Sequence, residues 1–317
     1  MLKEWYVSFH GGEEQSALNN IHVYSTDGER LRKALNKKSL AAGIKLRELR
    51  GFVFGPDQNL YVVNAYCEYS QILKFNGTLN ENGQHDFAQV FVTRHAENPG
   101  IDHPFNLAFD SEGDLYVSSQ NTSLIARYHG PGSKEGKPGT PMPLPESLHL
   151  EKANFPPGTF VPSAKLVSNG LLEVRAVIFA PNSEMFVADR AADCVRIYEA
   201  RTGRHLRNLS QQSDQLDRPI HLLLSPDGRY LLIGSGGKDS IMRHDLRQGS
   251  TSVFVGPKSA GLDGPAGMAF GDDGFFYVAS RNSKKILRYG GIDGRPHGKP
   301  FIDDLADNPE FLMLVAR

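Results

Sequence analysis

The chain has 317 residues, 39% hydrophobic and 22% charged, a mix that supports a large folded core and excludes a disordered chain. Lys and Arg number 35 against 36 Asp and Glu, so a formal charge of -1 leaves no global field to hold nucleic acid or an anionic membrane surface, and neither partner is expected. No apolar run approaches the ~18 residues of a spanning helix and Met1-Leu2-Lys3-Glu4-Trp5 lacks a signal-peptide core, so a soluble, cytoplasmic protein is expected.

Taken in chain order, Glu4-Trp5-Tyr6-Val7-Ser8 reads as an aromatic strand, Ile21 to Tyr24 as the next, and Glu29 to Leu35 as a third after the turn Thr26-Asp27-Gly28. From Phe52 the pattern becomes a hairpin, FVFGPDQNLYVV, with polar turn chemistry between two apolar strands. The same shape returns as LAFDSEGDLYVS from Leu107, VIFAPNSEMFVA from Val177, LLLSPDGRYLLI from Leu222 and MAFGDDGFFYVA from Met268. Each hairpin is followed by a third strand: QILKF at Gln71, LIARY at Leu124, CVRIY at Cys194, SIMRH at Ser240 and KILRY at Lys285. A fourth follows in most units, as in FAQVFV at Phe87, RHLRNL at Arg204 and STSVFV at Ser250. A proline-rich insertion spans about residues 128–161. At the end, Pro309 to Leu314 repeats the pattern of Pro265 to Phe270 and stops after one strand.

Four antiparallel strands per unit, recurring at about 45 to 70 residues, predict propeller blades. A sandwich of similar strands is the rival, but a sustained period with one unit split between the termini favours the propeller. The fold expected is therefore all-β: one domain over 1–317, a six-bladed propeller of four-stranded antiparallel blades. Its sixth blade combines residues 1–36 with 305–317, and the pairing of N- and C-terminal strands closes the ring.

Phe186-Val187-Ala188-Asp189-Arg190 leading into Cys194-Val195-Arg196-Ile197-Tyr198, with DxxG-type turns before Tyr-Val, resembles NHL repeats. That superfamily of six-bladed propellers includes the gluconolactonase-like, virginiamycin B lyase-like and peptidyl-amidoglycolate lyase-like enzymes. The resemblance covers nearly the whole chain. It implies a small-molecule site at the central-channel mouth.

In a blade, the start of the first strand and the end of the second share one end, which predicts the residues facing that mouth. The starts include Arg50-Gly51, Phe105-Asn106, Arg175-Ala176, Ile220-His221, Ala266-Gly267 and Glu310-Phe311; the ends include Asn64, Ser119, Asp189-Arg190, Ser235, Arg281-Asn282 and His10. His221 is a candidate base or metal ligand, and His10 and His103 are further candidates. Asn64, Asn106, Asp189 and Glu310 offer oxygen donors for a divalent cation, as the gluconolactonase resemblance implies. The same polar residues at strand ends could instead cap backbone groups. Calcium suits the oxygen donors and zinc the histidines. Arg50-Gly51 and Tyr66-Cys67 are similar to the arginine and tyrosine positions of amidoglycolate-forming lyases, which implies catalytic roles for Arg50 and Tyr66. Arg50 and Arg175 would hold an anionic group, although ion pairs with Glu173, Asp189 or Asp193 are the simpler explanation of arginines at these places.

No nucleotide or redox cofactor motif is present. Cys67 and Cys194 read as separate thiols. The expectation is a non-redox lyase, isomerase or hydrolase acting on a small, anionic molecule, with a non-catalytic propeller that binds a protein or ligand on its rim as the alternative.

Overall fold

The computed structural model describes residues 2–12, 16–149, 153–209 and 216–316. The chain is all-β, a six-bladed propeller of antiparallel blades. Blade one shows how the sequence makes a unit. Its strands are Leu49–Phe54, Leu60–Asn64, Gln71–Leu79 and His85–Thr93, hydrogen-bonded in that order. The first turn is held by Asp57, whose carboxylate accepts from the Asn59 side chain at 2.8 Å and from the Tyr61 hydroxyl at 3.0 Å. Gly55 is required there because a Cβ would lie 2.6 Å from the Tyr61 ring.

The described residues pack as two compact units of three blades each. In the unit Leu35–Leu209, blades one to three begin at Leu49, Pro104 and Val174. Their cores are apolar clusters around Tyr61, Phe91 and Leu124, and around Tyr116, Phe160 and Val187. The insertion of blade two leaves after Tyr128 and returns as strand Thr159–Val161, whose Phe160 is fully buried; there the long loop is anchored by one strand.

The other unit, Met1–Ala34 with Ser210–Arg317, holds blades four, five and six. Blade six joins both ends of the chain: strand Pro309–Ala316 pairs antiparallel with Lys3–Phe9, setting Leu312 against Val7 and Leu314 against Trp5. Leu312 and Val315 are buried, whereas Phe311, Met313 and Leu314 are half-buried. Blade five departs from the expected four strands. Its sheet has three, and where a fourth would run there are two isolated bridges, Ile286 with Ile302 and Tyr289 with Pro296. Pro296 and Pro300 flank that segment, and neither can donate to a ladder.

Candidate functional site

One register is repeated in all six blades. The residue opening the first strand pairs with the residue closing the second: Leu49 with Asn64, Pro104 with Ser119, Val174 with Asp189, Pro219 with Ser235, Pro265 with Ser280, and Pro309 with Phe9. A β-bulge follows at once in every case, and its first residue is Arg50, Phe105, Arg175, Ile220, Ala266 or Glu310. Bulges turn side chains off the sheet's alternation, which is why they recur beside binding sites. The second bulge position is tight between neighbouring blades. A Cβ at Gly51 would lie 3.1 Å from the Asn106 amide nitrogen, and one at Gly267 would lie 2.6 Å from the Phe311 Cα.

The paired second-strand residue clamps the loop that leads into the first strand. Ser119 accepts from the Asp102 amide at 2.6 Å, Ser235 from Asp217 at 3.0 Å and Ser280 from Asp263 at 2.9 Å. Asn64 does the same work with an amide, accepting from Arg47 N at 2.8 Å and donating to Lys45 O at 2.8 Å. Asp189 accepts from the Leu172 and Glu173 amides and binds Arg196 Nε at 2.7 Å. Clamping satisfies backbone groups that the loop would otherwise bury unpaired.

These contacts decide whether the expected donors fit a divalent ion. Asn64 and Asp189 are fully buried in their clamps, and Asn106 Oδ1 accepts from Val177 N at 3.4 Å. Glu310, in the other unit, receives Arg281 Nε at 2.8 Å and lies 3.2 Å from His10 Nδ1. Oxygens committed to amides and guanidiniums are poor cation ligands, so this donor set does not fit calcium. Among the described residues, no group of three His, Cys, Asp or Glu side chains is placed to hold a metal.

The unit of blades one to three carries the charged cluster. Glu48 and His103 both adopt left-handed backbone, with φ of 50° and 52°, immediately before the first strands of blades one and two. The same turn recurs at Arg218 and Gly264, with φ of 49° and 64°, before the first strands of blades four and five, so it belongs to the repeat. A single oxygen of Glu48 lies 3.5 Å from Arg50 Nη2 and 3.4 Å from His103 Nε2. Arg175 pairs with Glu173, which also binds Arg190 at 2.7 Å, and the Arg175 guanidinium stands 5.4 Å from the Phe105 ring centre. Arg50 and Arg175 are only 6% and 8% exposed.

Burial pulls the Arg175 guanidinium down to about 10, with Arg190 and Arg50 adding to the effect and Glu173 opposing it. Burial also lowers His103 below the ordinary histidine range, seconded by the Arg50 charge and opposed by Glu48. At neutral pH the cluster thus presents charged guanidiniums beside a neutral imidazole. Arg175 and Arg190 share Glu173, Arg50 and His103 share Glu48, and Asp102 adds a third carboxylate whose charge acts on His103.

His221 occupies the second bulge position of blade four, buried, with its ring 5.7 Å from that of Phe311. Tyr66 lies beneath the Arg47 guanidinium at 3.6 Å. Cys194 is a free thiol that burial pushes up to about 11, too high for a nucleophile at neutral pH. Glu48 was not among the sequence candidates. Its signal was its place two residues before Arg50, on the chain leading into a strand.

No protein-family model matches the chain, and no curated protein sequence matches it. Solved structures do. A chain of the nidogen/laminin complex superposes with a TM-score of 0.64 at 13% identity, covering 98% of each chain. The periplasmic gluconolactonase of Pseudomonas aeruginosa gives 0.61 at 15%, covering 100% of this chain and 99% of that one. This chain has the fold of those propellers. Virginiamycin B lyase from Staphylococcus aureus gives 0.50 at 13%, over 78% of this chain and 68% of that one. At such identities the likeness shows the fold alone, and the fold hosts enzymes and non-enzymes alike.

Proposed function

We propose that the chain is an enzyme that acts on a small carbonyl compound by acid–base chemistry, in lactone hydrolysis or a lyase elimination, at the cluster of blades one to three. The observation that carries this reading is the burial of two guanidiniums, Arg50 and Arg175, at the same bulge position of blades one and three. Each guanidinium keeps a carboxylate neighbour, Glu48 or Glu173, that holds it in place, and both reactions develop negative charge on a substrate oxygen that two such cations can share. Arg50 and Arg175 would stabilise that oxyanion. His103, kept neutral by its surroundings, would take the proton, with Glu48 holding its ring.

The test is turnover of a panel of aldonolactones and other small lactones, followed by proton release as a function of pH. His103→Asn should abolish an acid limb that lies below pH 6.5 in the native protein, since a base of lowered pKa stays active further into acid. The same pH profile in His103→Asn and native protein would refute the assignment. A rim-binding scaffold is the second reading, favoured by the pairing of both buried guanidiniums with carboxylates of their own blades. It predicts no turnover and no effect of Arg50 or Arg175 on ligand capture.

A further inference from the structure

Blade one departs from blades two to five at the loop joining its second and third strands. Residues 65–70 lie between Asn64 and Gln71, whereas four residues make the same connection in each of the other four, as in 120–123 and 281–284. The longer loop carries two tyrosines. Tyr66 precedes the short turn Cys67–Tyr69, and the Tyr66 and Tyr69 rings stack with centres 6.1 Å apart at 28°.

The chain that enters the blade differs at the matching place. In blades two, four and five the residue whose amide the clamp accepts is an aspartate, Asp102, Asp217 or Asp263. Asp102 and Asp263 also accept from the second residue of the adjoining loop, Asn121 at 3.2 Å and Asn282 at 2.7 Å. Blade one reverses the charge. Its clamped residue is Arg47, whose guanidinium stands 3.6 Å from the ring centre of Tyr66, the second residue of its own loop. Lys45, two residues earlier, places its ammonium 5.8 Å from the Tyr69 ring centre. Asn64 pins the Arg47 amide and the Lys45 carbonyl together while Leu46 between them is buried, so the two cations share the outward side of the loop. The carboxylates beside them turn elsewhere: Glu48 to Arg50 and His103, and Glu68 to a groove it lines with Arg94 and His95.

A guanidinium stacked on a ring is held by its face and presents its N–H edge, the arrangement that grips a phosphate with two parallel bonds. A neighbouring lysine adds the second charge that a phosphate monoester carries. We propose, resting on the acid–base reading of the blade-one-to-three cluster, that its substrate is a phosphorylated compound whose phosphate monoester is received by Arg47 and Lys45 on their tyrosine shelf.

Calorimetric titration of the intact chain with gluconate and with 6-phosphogluconate, which differ only in the phosphate, tests this directly. The phosphorylated acid should bind at least about tenfold more tightly. Arg47→Met should bring the two acids within about twofold by weakening the phosphorylated one, and Lys45→Met should remove about threefold of the preference. Equal affinities in the native chain, no saturation by 6-phosphogluconate up to about 20 mM, or a preference that survives in folded Arg47→Met overturns the proposal. Should circular dichroism show Arg47→Met unfolded, Lys45→Met decides: an unchanged preference refutes the shelf. Inorganic phosphate bound as tightly as 6-phosphogluconate would also overturn it, since the shelf would then hold a free ion and not one end of a substrate. The underlying reading fails separately. Arg175→Met should weaken both acids alike, and if it weakens neither while Arg47→Met still abolishes the preference, the cluster falls and the shelf stands.

Discussion

The first strands of blades one to three and of blades four to six share one backbone and differ in what they mount on it. Each pairs its opening residue with the end of its neighbour and then bulges. At the first bulge position one unit places Arg50, Phe105 and Arg175, and the other Ile220, Ala266 and Glu310. The lesson is that the repeat supplies geometry while single side chains supply chemistry. Polar residues at equivalent places therefore need not share a role. Asp189 and Ser235 look functional in a sequence, yet both are clamps.

Three outcomes would sharpen or break this division. The largest concerns Asp189, whose carboxylate is fully buried against Arg196. Asp189→Ala should cost about 3 to 5 kcal/mol, because it strands a guanidinium and two loop amides. Denaturant unfolding would measure it, and a change below about 1 kcal/mol would return Asp189 to the functional residues.

The second concerns pH. Burial drives His22 of blade six down to about 4, so between that value and 6.5 the unfolded chain binds a proton that the folded one does not. Stability from this group is complete above pH 6.5 and is lost as pH falls towards 4. The melting temperature should drop over that window, and His22→Gln should flatten the slope.

The smallest effect belongs to the serine clamps. Ser119→Ala, Ser235→Ala and Ser280→Ala should each cost about 1 kcal/mol, alike in both units. A loss confined to one unit would show that the clamp is not a property of the repeat.

Much of this architecture was legible in the sequence. The hairpins recur with their turn chemistry, Pro309 to Leu314 copies Pro265 to Phe270, and strand polarity alone located Arg50, Arg175 and Asn64 at one end of their blades. The broken outer edge of blade five was less visible, since Pro296 and Pro300 have no N–H to donate and leave isolated bridges in place of a continuous ladder. The roles of polar residues were not legible at all. Whether Asn64 meets an ion or the amide of Arg47 depends on a loop path that no local pattern encodes. Nor does spacing bring Glu48, His103 and Arg50 together; that requires the left-handed turns at Glu48 and His103 and the packing of neighbouring blades.

The central claim is that an anion is held by the guanidiniums of blades one and three. Calorimetric titration of malonate into the native chain, Arg175→Met and Glu310→Gln tests it most directly. The account predicts that Arg175→Met weakens binding by at least about tenfold while Glu310→Gln leaves it within about twofold. Equal affinity in the native chain and Arg175→Met would contradict it.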